Sequence, residues 1–161
     1  MVMRWTLWAV VMLLLGPLDA VMAQETGRLP LPRFASIKAD EANVRAGPGL
    51  HYPIEWVFTR RNMPVMIVGD YEHWRRIRDF EGVEGWIHRA LLSGERTVIV
   101  VDEAYALRRE PSFDAPMVAK IKPTVTASLD RCDDVWCAIQ VQGYEGWMYH
   151  SALWGLDRDL F

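Results

Sequence analysis

The sequence predicts an all-β protein made of two small, partly open five-stranded barrels in tandem. Three observations carry this. Short runs of β-branched and aromatic residues alternate with Gly, Pro, Asn and Asp, as strands alternate with turns. No stretch beyond residue 24 keeps a helical period long enough for a helix. The second half also repeats the first: Val44, Arg45, Pro48 and Pro53 fall on Leu107, Arg108, Pro111 and Pro116, and Gly85-Trp86-Ile87, Leu92 and Gly94 fall on Gly146-Trp147-Met148, Leu153 and Gly155. A period near sixty residues exceeds a solenoid repeat and suits two copies of a small domain.

The strands follow in order. In the first copy they are expected at 42–45, 54–58, 64–69, 74–78 and 83–88, and in the second at 104–108, 117–121, 124–129, 135–141 and 144–148. The apolar run Thr97 to Val101 is expected to open the second unit and pack in its core. Gln142-Gly143 reads as a two-residue hairpin turn with positive φ, and Asp79 to Gly82 as its longer counterpart. Arg89 to Leu92 suits a single 3₁₀ turn. Pleat alternation turns Cys137, Ile139 and Val141 inward with Val135, which places Trp136 on the opposite face with Ala138 and Gln140. By the same rule Ile77 points in while Trp74, Arg76 and Arg78 point out.

The N-terminus reads as an address. Arg4, the apolar run from Trp5 to Leu15 and the small-residue pattern Val21-Met22-Ala23 predict a signal peptide over 1–23. The run is too short for a spanning helix, so membrane contact is expected only in passing through that segment. Residues 24–35, with two prolines, read as a linker, followed by units at 36–94 and 95–161. The first unit has eight basic and eight acidic side chains, and the second seven and eleven. Neither offers the basic surface that nucleic acid demands. A periplasmic or secreted location is therefore expected.

Cys132 and Cys137 form a close pair in an exported chain and predict a structural disulfide across a tight hairpin, with Cα atoms about 5.5 Å apart. A catalytic redox pair would need Cys-x-x-Cys at a helix start. His51, His73, His88 and His150 keep no metal-ligand spacing, and no cofactor motif is present, so neither metal nor cofactor is expected. The serines lack the Gly-x-Ser-x-Gly context, and the adjacent carboxylates Asp102-Glu103 and Asp133-Asp134 point to opposite faces of a strand. No enzymatic activity is expected.

Together, Asn43-Val44-Arg45-Ala46-Gly47-Pro48-Gly49, Tyr52-Pro53, Trp74-Arg75-Arg76-Ile77-Arg78-Asp79, Gly85-Trp86-Ile87-His88 and Leu91-Leu92-Ser93-Gly94 resemble the bacterial SH3-like family in its exported tandem form. The second copy keeps Trp136, Gly146-Trp147 and Leu153-Trp154-Gly155 and has Glu110-Pro111-Ser112 for the Gly-Pro-Gly loop. The resemblance implies SH3-like barrels, usually non-catalytic, that bind peptides or peptidoglycan on envelope proteins.

The residues singled out for ligand contact are Trp74, Tyr52, Arg76 and Arg78: an outward indole gives a flat apolar face, and guanidiniums fork onto carboxylates. Trp86 and Trp147, fixed behind glycines, read as core or barrel-closing residues, and Trp154 as a plug between the copies. Arg45 and Arg108 read as structural arginines holding loop carbonyls. The expected function is an envelope binding protein whose partner is an envelope protein, a peptide or peptidoglycan. The alternatives are a scaffold unit or an accessory regulator of a wall hydrolase.

Overall fold

The computed structural model describes residues 29–156. The segment read as a signal peptide, residues 24–28 of the lead-in and residues 157–161 lie outside the described residues. The chain forms two antiparallel sheets of seven strands each. The first contains β1 (Arg33–Ile37), β2 (Ala42–Arg45), β3 (Ile54–Phe58), β4 (Pro64–Tyr71), β5 (Trp74–Arg78), β6 (Glu84–His88) and β7 (Leu92–Ser93), in the order β3-β2-β6-β5-β4-β1-β7. The second contains β8 (Thr97–Val100), β9 (Tyr105–Arg108), β10 (Met117–Ile121), β11 (Thr126–Cys132), β12 (Trp136–Val141), β13 (Tyr144–Tyr149) and β14 (Leu153–Trp154), in the matching order β10-β9-β13-β12-β11-β8-β14.

The five strands expected in each copy are β2–β6 and β9–β13. The short strands β1 and β7, like β8 and β14, extend each sheet beyond β4 or β11. The lead-in is thus shorter than expected: the chain enters β1 at Arg33, and Ala35 is already buried. Ile37, Val44, Val65, Ile77 and Ile87 fill the first core, and Val98, Val100, Leu107, Ile139 and Met148 the second.

Gly85 and Gly146 permit the close crossing on which each barrel closes. A Cβ at Gly85 would sit 2.5 Å from Val44 Cγ1, and one at Gly146 would sit 2.5 Å from the Arg108 carbonyl oxygen. The Gln142-Gly143 turn has the expected positive φ at both residues, 51° and 84°. One-turn 3₁₀ segments follow β6 and β13. Cys132 and Cys137 are bonded and directly opposed across β11 and β12. Their Cα atoms are 4.0 Å apart, nearer than expected, as suits the narrow type of antiparallel pair.

The copies do not sit as beads on a string. All four residues of β8 are buried because its two faces serve different cores: Val98 and Val100 enter the second, while Ile99 enters the first. Assigning this run to the second core alone misses that split, since strand alternation does not say that a neighbour covers the back face. Thr97 Oγ1 donates to Ser36 Oγ at 3.1 Å, and Ser36 Oγ donates to the Glu95 carbonyl, so the buried hydroxyls of the joint are satisfied. Trp154 packs edge-on to Phe34 at 4.9 Å and against the first core, the plug expected of it.

Candidate functional site

The loop from Ala46 to Pro53 between β2 and β3 is held from beneath by Arg45. Its Nη1 donates to the Leu50 carbonyl at 3.1 Å and to the Tyr52 carbonyl at 2.7 Å. Arg108 does the same in the second barrel, with Nη1 donating to the Ala115 carbonyl at 2.7 Å. Both are structural arginines, as expected.

The two loops then diverge. In the second barrel Phe113 folds back onto Trp136, with ring centroids 4.7 Å apart, and Tyr149 completes a three-ring cluster, 6.1 Å from Trp136 and 5.5 Å from Phe113. In the first, the residue in the place of Phe113 is Leu50, which is 77% exposed. His51 and Tyr52 lie ring to ring at 4.2 Å, and Tyr52 is 37% exposed.

The outward indole expected at Trp74 is not there. Trp74 is 8% exposed and meets His88 edge-on at 5.4 Å, and Trp136 is 6% exposed. The reason is tertiary. The pleat sends both indoles to the face opposite Ile77 and Ile139, but in the second barrel the β9–β10 loop visibly lies over that end of the sheet. Trp74 packs against His88 and Tyr52 against His51, as two separate ring pairs.

Arg76 and Arg78 do point outward, with side chains 53% and 47% exposed. Both converge on Glu84 of the neighbouring strand: Arg76 Nη2 lies 2.7 Å from Oε2, and Arg78 Nε donates to Oε1 at 2.8 Å. The hydrogen bond from Arg78, aided by the charge of Arg76, holds the Glu84 carboxyl below the usual carboxylate range. The fork expected to take a ligand carboxylate is thus engaged by one from the chain itself.

The same face of the second barrel is built differently. Ala138 stands where the first barrel has Arg76, and Gln140 where it has Arg78. The result is an open groove of about 480 Å³ over β11–β13, floored by Trp147 and flanked by Arg109 and Arg131. The guanidinium of Arg131 lies over the Trp147 ring, 5.1 Å from its centroid. Trp86 and Trp147 are not core residues, because their neighbours Ile87 and Met148, both fully buried, take the inward side; each instead stands at the rung where its barrel closes, Trp86 opposite Arg45 and Trp147 opposite Arg108. Strict alternation through Gly-Trp-Ile and Gly-Trp-Met was the signal that could have shown it.

Comparison with known proteins decides the family. A bacterial SH3 domain family model matches residues 38–94 and again 101–155. The chain belongs to the bacterial SH3 domain family. It is also 27% identical over 125 residues to YrvJ of Bacillus subtilis (strain 168), a protein named as an N-acetylmuramoyl-L-alanine amidase; the match covers 71% of this chain and 24% of that protein. The chain therefore spans about a quarter of that relative's length. Among solved structures, NlpC2 of Trichomonas vaginalis aligns with a TM-score of 0.36 at 15% identity, over 76% of this chain and 48% of that one. NlpC1 of the same organism aligns with a TM-score of 0.35 at 16% identity, over 76% and 45%. Within the family frame, the first SH3 domain presents its β2–β3 loop to solvent, and the second turns the corresponding loop onto its own tryptophan.

Proposed function

We propose that this tandem SH3 protein is a non-catalytic binding protein of the bacterial cell envelope that recognises peptide or peptidoglycan fragments, with the β2–β3 loop of its first domain as the contact surface. The observation that carries the reading is the pairing of exposure with a tether in that loop. Leu50 and Tyr52 offer apolar and aromatic surface to a partner, while Arg45 holds both of their carbonyls. A loop ordered before binding loses less entropy on contact. The similarity to a protein named as an N-acetylmuramoyl-L-alanine amidase supports a partner that contains muramoyl peptide. The disulfide suits an oxidising compartment outside the cytoplasm.

The test is co-sedimentation with purified cell-wall sacculi. Leu50→Asp combined with Tyr52→Ala should weaken binding about tenfold or more, as loss of a contact hot spot does, with the thermal midpoint held. Undiminished binding by this variant would remove the loop from the proposal. A second reading, an assembly unit or an accessory to a separate wall hydrolase, draws on the shared strand β8, whose residues enter both cores. Stimulation of a wall hydrolase in trans, without measurable binding to sacculi, would favour it.

A further inference from the structure

We propose that the groove over β11–β13 of the second SH3 domain is a separate ligand site, for a short peptide carrying both a free carboxylate and a free ammonium group. The comparison between the two domains makes the case. On the first domain's outer face, Arg76 and Arg78 fill the space above the sheet and spend their charge on Glu84. On the second, Ala138 and Gln140 occupy those rungs, the space above them is open, and the carboxylate matching Glu84, Glu145, accepts a single hydrogen bond from Gln140 at 3.0 Å. The arginine has moved one strand over: Arg131 takes the rung that Gly69 holds in the first domain.

There Arg131 is pre-organised in two ways. Its guanidinium lies over Trp147, and its Nη1 pairs with Asp130 at 2.6 Å. Arg109 lines the same groove, and among the described residues its guanidinium has no ion-pair partner. With Arg131 and Asp130 paired to each other, the charges left unspent in the groove are the cation of Arg109 and the anion of Glu145. A ligand of a single charge sign would leave half of that set repelled, whereas a peptide with opposite charges at its ends satisfies both. The volume lies within the ~300–1,000 Å³ usual for small-ligand sites.

The test uses trialanine as probe, with its N-acetylated and C-amidated forms as controls. The readout is the indole N–H resonance of Trp147 in the full protein, assigned with Trp147→Phe. Trialanine should shift this signal saturably in the millimolar range, and capping either end should weaken the response several-fold. Ala138→Arg, which installs the first domain's side chain, should weaken binding about tenfold or more. Arg109→Ala, at an exposed loop position, gives an independent loss if the first variant folds poorly. Arg76→Ala should change nothing. An unmoved Trp147 signal, equal responses to capped and free peptide, or full binding by Arg109→Ala would each overturn the site. No wall material enters this assay, so its failure is distinguishable from failure of the first-domain loop on sacculi.

Discussion

Asp70 lies 3.0 Å from Arg75 across β4 and β5, at the rung that Cys132 and Cys137 occupy in the second barrel. The equivalence is set by register. Both hairpins carry an irregularity one rung further along, between Ile67 and Gly69 in one and Leu129 and Arg131 in the other. One domain closes the hairpin with a covalent bond and the other with an ion pair whose side chains are 12% and 15% exposed. Arg33 approaches the same carboxylate at 3.7 Å, so Asp70 answers two guanidiniums. Asp70→Ala should therefore destabilise the protein by about 3 kcal/mol, since it strands two nearly buried cations. Urea unfolding at neutral pH measures this. A loss under about 1 kcal/mol would class the pair with ordinary surface bridges. Replacing both cysteines by Ala should cost roughly 2 kcal/mol, the value for a loop this short.

Ile99 is anchored in one domain's strand and buried in the other domain's core. Ile99→Ala should cost about 2–4 kcal/mol, as large-to-small changes in packed cores do. The informative outcome is the form of the transition. Because β8 is common to both cores, calorimetry should show one cooperative unfolding event in the wild type. Two resolved transitions, only one of them shifted by the substitution, would mean that the domains fold independently.

Trp74 and Trp136 are packing residues at matched positions, and their substitution should show it. Trp74→Ala should lower stability by about 3–5 kcal/mol. Any accompanying loss of ligand binding would follow from unfolding and should vanish at temperatures where the variant is folded. Phe113→Ala removes a side chain that is itself 61% exposed. It should cost only about 1–2 kcal/mol while uncovering Trp136, seen as a red shift of tryptophan emission. An unshifted spectrum would mean that Phe113 does not shield the indole.

Asp133 closes the β11–β12 turn. Its Oδ1 accepts from the backbone N–H of Trp136 at 2.7 Å and of Val135 at 2.9 Å. These bonds, the one from Trp136 foremost, hold its carboxyl below the ordinary value. A depressed folded-state pKa contributes stability above the unfolded value near ~4, and that contribution is lost as pH falls through the folded value. Glu84 has the same sign. The thermal midpoint of wild type should thus fall between about pH 5 and about pH 2, and that of Asp133→Asn should fall by less. Parallel pH profiles for the two proteins would rule out the turn as a source of acid sensitivity.

The amino-acid sequence by itself determined what neighbours along the chain can decide. Repeat register, strand positions, the Gln142-Gly143 turn, the Cys132–Cys137 bond and the tethering roles of Arg45 and Arg108 each depend on residues within one hairpin or one loop. Alternation also sent Arg76 and Arg78 to the correct face. Only the tertiary structure decided what covers each face. The lead-in became strand from Arg33 because β4 offered an edge, Ile99 was buried from behind by the other barrel, and Trp136 was sealed by Phe113, twenty-three residues upstream. The groove beside Trp147 likewise arises from Ala138, Arg131 and Arg109 on three separate segments. The physical reason is common to all of these. A two-residue period tells a side chain which way to leave its own strand, but burial is the loss of water at that surface, and the groups that displace the water come from parts of the chain that meet only on folding.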